Sequence, residues 1–209
     1  MTLFKNRYRI ESTRLKNYDY SSDGAYFITI CTKNREHFFG EIIDGQLTNT
    51  KQARIIKKCW LDLPNHYLNC ILDKFIVMPN HVHGVIFINN GMNGARCDDV
   101  DSEGGVDNMS VETGLKPVST INGNIVENNQ NKNQYVKRYS LSEIIRGFKT
   151  FTARKINELQ NTLGQPLWQT RFYDRIIRNE FALDKIRRYI INNPIKWQRD
   201  RNNKGNLYM

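Results

Sequence analysis

The histidine pair His81 and His83 is the most chemically informative feature of this sequence. The pair lies in an apolar run between Phe75 and Ile88 that predicts strand structure. Residues i and i+2 of a strand point to the same face, so both imidazoles should leave one side of a sheet together. Two neutral imidazoles converging from a rigid strand form half of a divalent-metal site. The alternative is a pair of half-buried histidines satisfied by hydrogen bonds.

The last predicted helix carries two further polar groups. Tyr189 and Asn193 are four residues apart, so they project from the same helix face. A phenolic oxygen can act as a covalent nucleophile, and an amide oxygen is a hard ligand suited to Mg²⁺ or Mn²⁺. A tyrosine on an apolar helix face is, however, more often a core residue with a hydrated hydroxyl. The rest of this face consists of Ala182, Ile186 and Ile190.

The elements that must position these groups follow the order β-α-β-β-α-β-α. Strands are predicted at 25–32, 70–77, 81–88 and 167–177. Helices are predicted from a cap at Asn49 or Thr50 to Leu63, from a capping box at 140–143 onward, and from Asn179 to Pro194. The first six elements match an α+β, ferredoxin-like fold (βαββαβ) with a four-stranded antiparallel sheet and two helices on one face. The additional C-terminal helix is expected to pack on the other face, where the histidines could meet it.

Length and charge limit the organisation and the partners. The 209 residues suit a single domain, 1–209, with an Asn/Gly-rich acidic insertion at 90–134 that is expected to be a flexible loop. The net charge is +10, and the insertion holds seven acidic and three basic residues, so the remainder is more basic than the whole chain. This balance favours a polyanionic partner.

Other classes of protein are disfavoured. The sequence has no apolar stretch of about 18 residues, which predicts no membrane span, and the N-terminus lacks the apolar segment of a signal peptide. The cysteines have no metal-ligand spacing, so we expect reduced core residues and a cytoplasmic protein. They are Cys31, Cys59, Cys70 and Cys97.

Three ordered phrases carry a resemblance to a known family. The phrases MPNHVHG at 78–84, LWQTRFYDRIIR at 167–178 and YIINNPIKW at 189–197 resemble the single-tyrosine (Y1) transposases, a class of HUH single-strand DNA endonucleases. Within this class the sequence looks closest to the REP-associated tyrosine transposases. Phrases at 14–20 and 25–35 are similar to the same subgroup, and the resemblance covers most of 7–200 outside the insertion.

The resemblance implies an activity and residue roles. Proteins of this class are metal-dependent single-strand DNA endonucleases and strand transferases that act on hairpin-bearing DNA through a 5′-phosphotyrosine. By resemblance, His81 and His83 match the metal-binding pair, Tyr189 matches the nucleophile, and Asn193 occupies the position of a third ligand. The expected cofactor is Mg²⁺ or Mn²⁺. Tyr173, on a predicted strand, is a rival nucleophile. A monomer or a homodimer is expected, and the tyrosine helix could act within its own chain or in a partner.

Basic side chains near aromatic residues fit a single-stranded DNA partner, because phosphates need neutralisation and bases need stacking partners. A solvated charged face is the alternative. The residues predicted to bind DNA are Arg14, Lys16, Arg146, Lys149, Arg154, Arg171, Arg175 and Arg188.

Three other functions stay open at this stage. A domesticated hairpin-DNA-binding protein would keep the fold without transposition activity. An RNA-binding ferredoxin-like module would use exposed aromatic residues on central strands and would leave the histidines unexplained. A rolling-circle replication initiator would share the HUH motif, but the phrase after Tyr189 favours a transposase.

Overall fold

The computed structural model describes residues 3–4, 7–8, 14–48, 50–91, 137–200 and 202–203. The insertion predicted at 90–134 lies outside the described residues from position 92 onward, as do Asn49 and Cys97. None of the helices in the described parts of the chain combines the length and apolar character that crossing a membrane requires.

Four strands form one antiparallel sheet. They are β1 (Gly24–Cys31), β2 (Cys70–Met78), β3 (His81–Ile88) and β4 (Tyr173–Ile177). Their order in the sheet is β2-β3-β1-β4. This is the strand order of the ferredoxin-like fold, so the predicted fold class is confirmed. Two short hairpins outside this sheet pair Leu3–Phe4 with Arg7–Tyr8 and Ile42–Ile43 with Gln46–Leu47.

Three long helices begin at the side-chain caps that the sequence indicates. Thr50 accepts from the Ala53 backbone N–H, Ser140 and Glu143 form a capping box, and Asn179 accepts from the Ala182 N–H. The helices are α1 (Lys51–Leu61), α2 (Leu141–Gln160) and α3 (Glu180–Asn192). A single helical turn at Leu63–His66 follows α1, and 3₁₀ turns occur at Lys33–Arg35 and Trp197–Arg199.

Several predicted elements extend beyond the observed ones. The first helix ends at Leu61 rather than Leu63, and Pro64 lies in the first turn of the next short helix, where its missing N–H costs nothing. The first strand ends one residue before its predicted limit at 32, and the last helix ends two residues before its predicted limit at 194. The strand predicted at 167–177 is regular only from Tyr173, and Trp168 forms an isolated bridge to Thr32.

The alternation of side chains along the strands divides the core between the two faces of the sheet. One face carries Tyr26, Ile28 and Ile30 of β1 and packs against α1 and α2. The other face carries Ala25 and Val85 and packs against α3. The predicted placement of the last helix, opposite the other two, is therefore confirmed, and it is this face that carries both histidines.

Gly84, directly after the histidine pair, is required by a close contact. A methyl group at this position would collide with the indole ring of Trp60, which α1 contributes. We expect Gly84→Ala to lower the free energy of unfolding by about 1–3 kcal/mol, because the core must shift to admit the added carbon. Urea unfolding measures the effect, and Gly91→Ala is the matched control, because an added methyl group there would make only an ordinary contact with the Asn89 side chain. Equal stability of the two variants would contradict this prediction.

Candidate active site

Both imidazoles leave β3 on the face covered by α3, as their spacing predicts. His81 pairs with Cys31 of β1 and His83 pairs with Thr29, so both rings lie over the centre of the sheet. Both residues are buried, with exposed fractions of 0% and 2%. Their Nε2 atoms lie 3.0 Å apart. The strand therefore holds two ring nitrogens within reach of one common point.

Asn80 determines which nitrogen of the His81 ring carries the proton. The Asn80 amide nitrogen donates to the carbonyl oxygens of Arg35 and Asn202, at 3.0 and 2.8 Å, which fixes the orientation of the amide group. Its oxygen consequently faces His81 Nδ1 at 2.8 Å and can only accept, so Nδ1 carries the proton. The lone pair of Nε2 is then directed toward His83.

The second ring is oriented in the same manner. Thr29 Oγ1 lies 2.8 Å from His83 Nδ1, across the strand pair. A partner on Nδ1 leaves Nε2 of His83 as the nitrogen that faces the site, which is how proteins orient metal-binding histidines. Neither Asn80 nor Thr29 stood out in the sequence, because a polar residue in a strand or turn does not reveal its partner.

Burial keeps His81 uncharged. Desolvation, followed by the proximity of His83 and Arg35, lowers the pKa of His81 well below its ordinary value of 6.5. A neutral imidazole is the form that binds a metal ion, so no proton has to be removed near neutral pH.

Tyr189 contacts His83, a member of the histidine pair, within a single chain. Its hydroxyl oxygen lies 3.2 Å from His83 Nε2, and its ring contacts those of His83 and Phe27. The side chain is 44% exposed, so an external molecule has access to the oxygen. The tyrosine and the histidines are thus brought together without a second copy of the chain.

Apolar packing and one ion pair fix α3 on the sheet. Leu183, Ile186 and Ile190 form the apolar stripe of the helix and pack on the sheet face described above. Arg187, two residues before Tyr189, donates to both carboxylate oxygens of Asp73 in β2, and its shortest contact is 2.6 Å. The bidentate pair holds the helix in register with the strand next to β3.

Two oxygen-bearing residues line the same cavity as His83. Asn193 is 2% exposed, and its side-chain oxygen finds no hydrogen-bond partner among the described residues. Asp200, which the sequence analysis did not select, has a carboxylate oxygen within 4.8 Å of ligand nitrogens of His81 and His83. Its sequence context, a polar stretch after the last helix, gave no signal of this placement.

A cavity of about 960 Å³ opens onto the site. His83, Tyr189, Asn193 and Asp200 line it, and so does the rival tyrosine Tyr173, which is 45% exposed. Four of its lining residues are basic, and among them Arg175 was predicted to bind DNA. The basic lining residues are Arg175, Lys185, Lys196 and Arg199.

A second cavity of about 530 Å³ lies along β4 and shares Asp174 and Arg175 with the first. Arg14 and Lys16 line it. Arg14, however, has internal partners: its guanidinium forms an ion pair with the buried carboxylate of Asp174 at 3.3 Å and donates to Ser142 at 2.8 Å. Arg175 is therefore the basic residue common to both cavities.

The remaining residues predicted to bind DNA are dispersed. Arg146, Lys149 and Arg154 belong to α2, on the opposite face of the sheet from the histidines. Lys149 donates to the carbonyl oxygens of residues 169 and 170, and burial lowers the pKa of its amine. Arg171 is exposed before β4, and Arg188 is exposed on α3 next to Tyr189.

The donor set fits one divalent ion. Two nitrogens each bound at about 2.1 Å with a right angle between them would lie about 3 Å apart, which matches the observed His81–His83 separation. The buried oxygen of Asn193, without a partner, and the carboxylate of Asp200 are hard oxygen ligands of the kind that Mg²⁺ and Mn²⁺ accept.

One segment of the chain is similar to a known family. The family described as "Transposase IS200 like" matches residues 133–193. The matched region includes Tyr189 and Asn193, whereas the histidine pair lies outside it. A relative from Haemophilus influenzae, described only as an uncharacterized protein, is 34% identical over 192 residues, which cover 90% of each chain.

A solved structure shares the fold of this protein. It is described as a REP-associated tyrosine transposase bound to a REP hairpin, and it superimposes with a TM-score of 0.52 at 15% identity. The match covers 90% of this chain and 74% of the other. The common feature at this identity is the arrangement of the sheet and helices.

Proposed function

We propose that this protein is a transposase that cuts and joins single-stranded DNA, with Tyr189 as the nucleophile and a divalent ion held by His81 and His83. The observation that carries the proposal is the 3.2 Å contact between the Tyr189 hydroxyl and His83 Nε2, at the wall of a basic cavity. The structural neighbour's description names a REP hairpin, and hairpin-bearing DNA is accordingly the substrate class that we propose here.

The two histidines and Asn193 are the residues that would hold the divalent ion. His81 and His83 would hold the ion through Nε2, with Asn80 and Thr29 keeping the rings oriented. Asn193 Oδ1 is the oxygen ligand that we propose from the family position and from its buried, unpartnered state. When bound, an Mg²⁺ or Mn²⁺ ion supplies Lewis-acid stabilisation of charge on a phosphate oxygen.

Tyr189 carries the covalent step. The phenolic oxygen forms a bond to phosphorus and loses its proton, while the bond from phosphorus to the 3′ oxygen breaks and that oxygen gains a proton. The products are a 5′-phosphotyrosine and a free 3′-hydroxyl. Attack of a 3′-hydroxyl on the phosphotyrosine reverses the step and joins strands, so the phosphoester energy is retained and no nucleotide cofactor is required.

Two features favour this function over the alternatives. Helices cover both faces of the sheet, so the central strands do not present the open aromatic surface that RNA-binding ferredoxin-like modules use. A hairpin-binding protein without catalysis would not need a tyrosine hydroxyl against an oriented, buried histidine pair. Whether the protein forms a covalent adduct with DNA distinguishes it from a hairpin-binding protein.

The test uses single-stranded oligonucleotides that carry a hairpin with randomised flanks. With Mn²⁺ or Mg²⁺ we expect a protein–DNA adduct that survives denaturation and a released fragment whose 3′-hydroxyl a polymerase extends. Chelation with EDTA should remove both products, since the ion would be lost from the site. Tight binding without an adduct, under any metal condition, would favour the hairpin-binding protein instead.

Arg175 is expected to contribute to DNA binding because it lines both cavities. Arg175→Ala should weaken binding of a single strand about 3–10-fold and reduce the slope of log K against log salt by about 0.7, the value for one lost phosphate contact. Fluorescence anisotropy at several salt concentrations measures both. Arg54→Ala, an exposed arginine on α1, is the matched control. If the salt slope of Arg175→Ala were unchanged, Arg175 would not contact a DNA phosphate.

A further inference from the structure

A carboxylate from the C-terminal segment lies beside the histidine pair. Asp200 follows the 3₁₀ turn at Trp197–Arg199 and comes seven positions after Asn193, outside the region that matches the family. Ligand atoms of His81, His83 and Asp200 all lie within 4.8 Å of one another. The spacing is small enough for one ion to contact all three residues after modest side-chain adjustment.

Several contacts hold this segment in place. Trp197 is buried, and its ring lies 5.9 Å from the ring of His81. The Asp200 backbone N–H donates to the Trp197 carbonyl at 3.0 Å. Asn202 anchors the far side, because its backbone oxygen accepts from the Asn80 side chain at 2.8 Å. Contacts with buried residues therefore fix the position of Asp200.

Asn80 couples the two parts of the site. One end of its amide group orients the His81 ring, and the other end binds the backbone of Asn202. Asn202 in turn donates its backbone N–H to Asp200 Oδ1 at 2.6 Å. A single side chain therefore fixes both a histidine nitrogen and the segment that presents the carboxylate.

Asp200 would add a negative charge that the histidines do not supply to the site. Neutral imidazoles contribute no charge, whereas a carboxylate adds one negative charge and hard oxygen atoms. A carboxylate offers about four lone pairs, so the hydrogen bond from Asn202 leaves capacity for a metal ion. Asp200 also lines the main cavity, on the same side as Tyr189.

We propose that Asp200 is a further ligand of the divalent ion, so that the metal site of this protein adds one carboxylate to the two histidines and Asn193. The inference rests on the proposed function, because it concerns the ion that His81 and His83 would hold. It makes the segment after α3 part of the active site.

Calorimetric titration of Mn²⁺ into the full-length, metal-free protein tests this inference. We expect Asp200→Asn to raise the Kd for Mn²⁺ at least tenfold, because the substitution removes the charge but keeps the oxygen that accepts from Asn202. Asp44→Asn, in the exposed hairpin turn, is the control and should bind Mn²⁺ as the wild type does. Thermal unfolding in EDTA checks folding, and Asp200→Ser, which also keeps an acceptor oxygen, replaces the asparagine variant if that variant does not fold.

The outcomes separate the two proposals. A wild-type protein that binds no Mn²⁺ would overturn the metal site as a whole, and with it the proposed function. If the wild type binds Mn²⁺, His83→Ala does not, and Asp200→Asn binds within twofold of the wild type, then Asp200 is not a ligand although the proposed function stands. A tenfold or greater loss in a folded Asp200 variant supports the inference.

Discussion

Tyr189→Phe is expected to abolish the covalent protein–DNA adduct, with a loss of at least about 10⁴-fold in the rate of strand cleavage. The variant lacks the oxygen that would attack phosphorus and retains the ring that packs against His83 and Phe27. The folded structure should therefore be preserved. Denaturing gel electrophoresis with labelled single-stranded DNA measures the adduct.

Tyr173→Phe is the matched control for this experiment. Tyr173 lines the same cavity and has almost the same exposed fraction, 45% against 44%. It lies on the edge strand β4, and Tyr189 is the tyrosine with a contact to a site histidine. Loss of the adduct in Tyr173→Phe but not in Tyr189→Phe would reverse the assignment of the nucleophile.

His83→Ala is expected to weaken Mn²⁺ binding by more than about 100-fold and to remove the adduct with it, since even residues that merely orient ligands cost 10–100-fold when replaced. The substitution removes the imidazole nearest to Tyr189 and leaves Thr29 without its partner. Calorimetry and the adduct assay should report losses in parallel.

His66→Ala is the control for the loss of a histidine. His66 lies on the surface, where it bonds to Asp62 one helical turn earlier. It should bind Mn²⁺ and form the adduct as the wild type does. If His83→Ala retained wild-type affinity for Mn²⁺, the ion would have to bind elsewhere, and the assigned metal site would be wrong.

Periodicity in the sequence predicted the central geometry well. The two-residue repeat of a strand placed both histidines on one face, and the four-residue spacing placed Tyr189 and Asn193 on one side of a helix. These are local rules that tertiary context did not override. The position of α3 over the histidine face followed from the six preceding elements, because a ferredoxin-like sheet leaves that face open for an additional helix.

Pairwise contacts between distant segments were not predictable in the same manner. Arg14 and Lys149 have the sequence character of DNA-binding residues, yet they have internal partners in Asp174 and in backbone carbonyls. Composition does not reveal which cations find such partners during folding. Asp200 illustrates the converse, since a turn, a buried tryptophan and the Asn80 amide together bring a residue from an unremarkable polar stretch to the site.

Peptide mass spectrometry of the trapped adduct tests the central claim most directly. The wild-type protein is incubated with Mn²⁺ and hairpin-bearing single-stranded DNA, and the denatured adduct is digested with a nuclease and a protease. We predict one modified peptide, with a 5′-linked nucleotide phosphate on the oxygen of Tyr189. A phosphate linkage on Tyr173 or on any other residue, with Tyr189 unmodified, would contradict the account.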